Sequence, residues 1–200
     1  QSFVRREIVS NNFSPGRFID VHYGFIPPDL IIVHTEDITD RKRMDEVRLE
    51  SKKRWEDLFN RTSDAIAIYD AIDDGQDFIL KDLNMAGERI EHVKREDIIG
   101  RRVTEIFPGV KTFGLFDVFQ RVWKTGNTKH HDVGFYKDER IEGWRENFVY
   151  QLNTGEIVAV YKDVTKQKQA EMEISKLNQE LEQRVNDRTT QLEAANKELE

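Results

Sequence analysis

An α+β fold, an antiparallel five-stranded sheet with helices on one face and long helices at its flanks, follows from three features of the 200-residue sequence. Within residues 61–165, two strand-like runs come first, short helical pieces next and three strand-like runs last, an order that segregates strands from helices. Gly and Pro are unevenly spread: all four Pro lie at or before Pro108, and no Gly follows Gly155. The closing 37 residues, Val164 to Glu200, contain neither breaker and are rich in Glu, Gln, Lys, Leu and Ala. That composition predicts one helix of about 55 Å, too long to fold back as an ordinary globular helix.

Taken in order, a charged helix is predicted from about Arg41 to Asn60, with Met44, Val47, Ser51, Arg54 and Leu58 on a heptad-like seam. Trp55 and Phe59 are left to dock on the domain C-terminal to it. Ala65 to Asp70 and Asp77 to Asn84 read as strands around a hairpin turn centred on Asp74-Gly75. Residues 85–93, 95–100 and 103–107 are short helical pieces, closed by Pro108-Gly109. Thr112 to Lys124 places Phe113, Phe116, Phe119, Val122 and Trp123 on one helical face, and Gly126-Asn127 ends it. Three strands are predicted at 129–137, 144–153 and 156–163, the last two joined by Asn153-Thr154-Gly155.

In the closing helix Ile174, Leu177 and Leu181 step by three and four, and Val185, Arg188, Leu192, Ala195 and Leu199 continue the seam. Two successive four-residue steps, Leu177 to Leu181 to Val185, have the spacing of a stutter. A stripe this narrow suits a two-stranded coiled coil better than a globular core. Glu180–Arg184 and Glu193–Lys197 add i,i+4 pairs in the favoured orientation. Arg188 on the seam keeps a solvated single helix as the alternative.

Composition removes whole classes of chemistry. With no Cys there is no disulfide, thiolate nucleophile, zinc-thiolate or iron–sulfur site, and no cysteinyl chromophore or haem thioether. The net charge of -7 argues against a nucleic-acid-coating surface. No apolar run is long enough to span a membrane. The five His (22, 34, 92, 130 and 131) fall in no metal-ligand spacing. His130 and His131 alternate across a strand, and His22 and His34 read as ordinary residues of opposing strands. Nucleotide-binding and nucleophile-elbow glycine motifs are missing, as is a kinase phosphoacceptor motif, so no catalytic residue is expected.

Shifted by 126 residues, the chain superposes on itself without a gap. Residues 35–39 (TEDIT) meet 161–165 (YKDVT), 31–33 meet 157–159, 17–20 meet 143–146, and Lys42 meets Lys168. The expected organisation is therefore the last strands of a truncated domain at 1–40, a linker helix at 41–60, a complete copy at 61–165 and a coiled-coil helix at 166–200. A chain that opens inside a domain is expected to be a fragment.

The repeated Asp-[Ile/Val]-Thr followed by a basic helix, the segment LysArgGluAspIleIleGlyArgArgValThrGluIlePhePro and the Asn84 ahead of it resemble a PAS sensor domain. The tail LeuGluGlnArgValAsnAspArgThrThrGlnLeuGluAlaAlaAsnLysGluLeuGlu resembles the signalling helix that leads into the phosphoacceptor helices of sensor histidine kinases.

The resemblance implies a pocket between sheet and aromatic helix. Strand alternation would line it with Ile66, Ile68, Phe78, Leu80, Val149 and Val158, facing Ile90, Phe113, Phe116, Phe119 and Trp123. A filled core and a true cavity for a flat apolar ligand both remain open. The cofactor is unknown: haem-binding relatives carry a His on the long helix, which 112–124 lacks, and thiol-linked chromophores need Cys. Non-covalent flavin stays open. His92 stands where relatives often have Gly. Asp163 and Thr165, and Asp37 and Thr39 before the first linker helix, are expected to cap a helix and relay sheet movement into it. The resemblance implies a cytoplasmic homodimer joined through its flanking helices to a kinase domain in the same chain, with any membrane anchor elsewhere. A ligand-free spacer, a cyclic-dinucleotide enzyme or a transcription activator as output are the alternatives.

Overall fold

The computed structural model describes residues 3–10 and 16–197, which divide into two units, 1–58 and 59–200. In the first, β1 (Phe3–Ser10), β2 (Arg17–Ile26) and β3 (Leu30–Asp37) form an antiparallel sheet in that order. A helix, α1 (Thr39–Arg61), carries the chain into the second unit.

The second unit is built on β4 (Ala65–Ile72), β5 (Asp77–Leu83), β6 (Lys129–Lys137), β7 (Glu142–Gln151) and β8 (Ile157–Asp163). Their order is β5-β4-β8-β7-β6, with every neighbouring pair antiparallel. Numbered within the unit this is 2-1-5-4-3. Four helices fall between the second and third strands: α2 (Met85–Glu91), α3 (Arg95–Ile98), α4 (Val103–Ile106) and α5 (Leu115–Thr125). The last helix, α6 (Thr165–Lys197), runs for 33 residues, about 50 Å at 1.5 Å per residue.

Helices α2 to α5 cover one face of the sheet because most of the alternate side chains turned to that face are apolar. Phe78 and Leu80 from β5, Val149 from β7 and Ile157 from β8 are fully buried against Val103, Phe116, Phe119 and Val122. Phe78 meets Phe116 and Phe119 edge-on, with ring centroids 5.8 and 5.5 Å apart. At the β4–β5 turn Gly75 has φ +74°, and a Cβ there would come within 2.4 Å of the Trp123 ring. Gln120 Nε2 donates to the Gly75 carbonyl at 2.9 Å, so the turn lies flat on α5.

Three pocket assignments are corrected. Ile66, Ile68 and Val158 lie on the opposite face of the sheet, in register as Ile66–Val160 and Ile68–Val158. The inward residues are Ala65, Ala67 and Tyr69 of β4 and Ile157, Ala159 and Tyr161 of β8. Both alternations of AIAIYD are apolar, so periodicity leaves the choice open, and size alone points to the isoleucines. A strand paired on both sides under helix α2 instead presents its alanines, which let the helix approach closely.

Asn84 ties the near end together. It is fully buried, caps α2 by accepting from Gly87 N (2.9 Å), and accepts from Ile66 N (3.0 Å) with the same Oδ1. Its Nδ2 donates to the carbonyls of Phe59 and Asp64, both at 2.9 Å. At the far end of α2, His92 takes the left-handed conformation (φ +52°), the position where Gly is commonest.

Candidate functional site

A small cavity lies in the second unit between the sheet and α2, α4 and α5; it admits the centres of water-sized spheres over about 40 Å³. That is room for about three waters or a ligand of a few heavy atoms. Phe113 and Phe119 are the two expected pocket residues that line it. Phe78, Leu80, Phe116 and Val149 are buried in the adjoining core, with Ile90 and Trp123 half-buried against it.

The rest of the lining includes Tyr69, Glu91, Tyr136, Arg145, Asn147 and Tyr161. Arg145 and Asn147 share the inner face of β7 with Val149, four and two positions before it. The polar residues were therefore legible from Val149 by extending its alternation through WRENFV. Tyr161 follows Ile157 and Ala159 in the same way on β8.

Arg145 joins the cavity to the end of the sheet. It is 4% exposed; its Nε stands 3.9 Å from Glu91 Oε1, and its Nη1 forms an ion pair with Asp163 Oδ1 at 3.0 Å while donating to Trp144 O at 3.3 Å. Asp163 in turn accepts from Thr165 N at 2.9 Å, capping the first turn of α6, while Thr165 Oγ1 accepts from Trp144 N at 2.9 Å. Burial raises the Asp163 carboxyl, but hydrogen bonds from Thr165 and the Arg145 charge outweigh it and hold its pKa below the ordinary value.

Glu91 closes α2 inside the protein. Burial pushes its carboxyl up to about 7, although the Arg145 charge and the Tyr161 hydroxyl pull the other way. Burial likewise raises the hydroxyls of Tyr69 and Tyr161, with the Glu91 charge adding to it. Among the described residues, Arg145 Nε and Asn147 Nδ2 are buried donors without a hydrogen-bond partner. Tyr136 donates to Asp138 Oδ2 at 2.8 Å, which fixes the turn between β6 and β7 beside the cavity.

The raised Glu91 pKa sets a pH dependence. Between its ordinary 4.5 and about 7 the folded chain holds a proton that the unfolded chain has released. The contribution is full below about pH 4.5 and lost as pH rises through about 7, a change on the order of 3 kcal/mol. Glu91→Gln is expected to remove this slope, so the urea midpoint of the parent should fall relative to that of the variant between pH 5 and pH 8. Parallel profiles would contradict the assignment.

The 126-residue repeat is reproduced in three hydrogen bonds of the two junctions, each within its own unit. Thr39 Oγ1 accepts from Phe18 N as Thr165 Oγ1 does from Trp144 N, both at 2.9 Å. Asp37 Oδ1 accepts from Thr39 N as Asp163 Oδ1 does from Thr165 N. Ile38 N bonds Phe18 O as Val164 N bonds Trp144 O. The arginines differ: Arg17 Nη1 meets Asp37 Oδ2 at 3.0 Å from an exposed position, two residues off the repeat register of buried Arg145. Asp37 is held below its ordinary pKa first by the Thr39 hydroxyl.

On α6 the seam residues Ile174, Leu177, Leu181, Val185 and Leu192 are all exposed; Leu199 lies outside the described residues. His130 and His131 face opposite sides of β6: His130 stacks on Phe148 and meets Glu146 at 3.1 Å, while His131 Nε2 meets Phe113 O at 3.0 Å. His22 pairs across the strands with His34, ring centroids 6.1 Å apart. Among the described residues no group of three or more His, Asp or Glu is arranged to hold a metal, and no helix is long and apolar enough to cross a membrane.

No family model and no curated relative matches the chain. Solved structures similar to it include a domain of the sensory box sensor histidine kinase/response regulator from Geobacter sulfurreducens, at 17% identity and TM-score 0.46, over 56% of this chain and 94% of that one. A PAS domain from Colwellia psychrerythraea matches at 21% identity and TM-score 0.45, over 57% and 97%. The PAS domain of Bordetella pertussis BvgS matches at 11% and 0.44, over 68% and 98%.

Proposed function

Starting from a second unit whose 2-1-5-4-3 sheet and intervening helices have the PAS fold, we propose that this chain is a sensory module of a signal-transduction protein. It detects a small ligand, or a partner, and passes the change through α6 to an output domain. The observation that carries this reading is the position of Arg145: one side chain lines the cavity and holds the Asp163 cap of α6. A ligand that draws on Arg145 competes with that cap, and a junction of a few hydrogen bonds is biased by coupling energies of about 1–3 kcal/mol.

Dimerisation through α6 is part of the proposal. Five seam residues leave an apolar stripe in water, which a second copy of the helix would cover. The kinase output rests on the likeness of residues 181–200 to a signalling helix, and a cytoplasmic location goes with it. The module is read as a non-enzymatic input.

Asp163→Ala tests the relay. It removes one cap, worth about 0.5–2 kcal/mol, and with it one of the two charge partners of buried Arg145, a further loss that the remaining Glu91 pair limits; the fold and the native mass should be kept. With a spin label at position 178 of the 200-residue chain, the parent is expected to give one narrow interlabel distance within a dimer, and Asp163→Ala a broader or shifted one. An unchanged distribution would overturn the relay; no interlabel distance in the parent would overturn the dimer.

A further inference from the structure

The cavity carries a carboxylate that is already matched: Glu91 faces Arg145 across 3.9 Å and lies beside Tyr161. Two donors at its wall lack a hydrogen bond, Arg145 Nε and Asn147 Nδ2, on buried side chains from the same face of β7. Leaving two buried donors unpaired is costly, so the site favours whatever brings oxygen acceptors to them.

Charge narrows the class further. Glu91 and Arg145 offset one another at the cavity wall, so an added anion meets the Glu91 carboxylate and an added cation meets the guanidinium. Much of the remaining wall is aromatic, from Phe107, Phe113, Phe119 and Tyr69. We infer that the cavity takes a small neutral molecule bearing a carbonyl-type oxygen, read by Arg145 Nε and Asn147 Nδ2 against an aromatic wall. This deepens the sensory reading and rests on it: the Nε that the carbonyl engages belongs to the guanidinium that holds the α6 cap.

The test uses the ¹⁵N-labelled 200-residue chain and four probes: acetamide, acetate, ethylammonium and xenon. Acetamide has a neutral carbonyl, and its four heavy atoms place binding in roughly the millimolar range. It is expected to shift the Arg145 Nε–H and Asn147 Nδ2–H₂ resonances saturably, with acetate at least about tenfold weaker at a pH where Glu91 is ionised and ethylammonium without effect. Asn147→Leu, similar in size, should weaken acetamide by about tenfold while xenon still enters. Tighter binding of acetate than acetamide, or undiminished binding to Asn147→Leu, would overturn the neutral-carbonyl assignment. Entry of xenon without acetamide would overturn it too, yet leave a ligand cavity for the sensory reading. If no probe enters and the donors are met by ordered water only, the cavity is closed and the ligand-sensing reading falls with the inference.

Discussion

Arg145→Ala is expected to destabilise the chain by about 3–5 kcal/mol near pH 8, and by less near pH 6. The guanidinium is buried between Glu91 and Asp163, so truncation strands one carboxylate inside the protein and weakens the other as a cap. It also empties the volume of the arginine stem. At the lower pH Glu91, already pushed up to about 7, takes up a proton instead of remaining an unpaired charge, and the loss shrinks. Urea unfolding of parent and variant at the two pH values measures both numbers. A loss that does not grow with pH would mean that Arg145 and Glu91 are not coupled. A loss under about 1 kcal/mol would place Arg145 among ordinary surface ion pairs.

Asn84→Ala should cost a similar amount, about 3–5 kcal/mol, with no pH dependence of its own. Four backbone groups lose their partner at once: the amides of Ile66 and Gly87 and the carbonyls of Phe59 and Asp64. Each unsatisfied group costs about 1–3 kcal/mol before the site relaxes. Asn84→Asp keeps the two accepting bonds but sets a carboxylate against two carbonyls, and should be no better tolerated. Thermal unfolding of both variants decides the point. If Asn84→Asp were as stable as the parent, the bonds to Phe59 and Asp64 would be of little consequence. The same side chain links the end of α1, the start of β4 and the cap of α2, so its loss should also speed amide exchange at Gly87.

Much of this architecture can be read from particular residues. The Asp-[Ile/Val]-Thr pairs mark where a strand becomes a helix because a carboxylate and a hydroxyl there serve the free amides, and both junctions are built that way. The absence of breakers after Gly155 foretells α6, and Asp74-Gly75 the turn between β4 and β5. The orientation of β4 was less accessible, since AIAIYD is apolar on both faces and the register depends on the strands and helix packed around it. Expecting an apolar pocket had a similar cause. Arg145 and Glu91 look like surface charges in a chain that is 34% charged, and only the fold brings them to 3.9 Å inside it. Val149 and the period of two held the clue to Arg145 and Asn147; for Glu91, at the end of a seven-residue helix, no local pattern exists.

The cavity and the α6 cap meet at Arg145, and exchange at the cap reports on that link. Amide hydrogen exchange compares the parent with Glu91→Gln, a change at the cavity end that leaves every cap residue in place. Altered protection is expected at Thr165 and Lys168, whose amides bond Asp163 Oδ1 and Val164 O, and unaltered protection along β4 and β5. Equal protection of Thr165 and Lys168 in the two proteins would contradict that link, because the charge at Glu91 would then be invisible to the helix that is proposed to carry the signal.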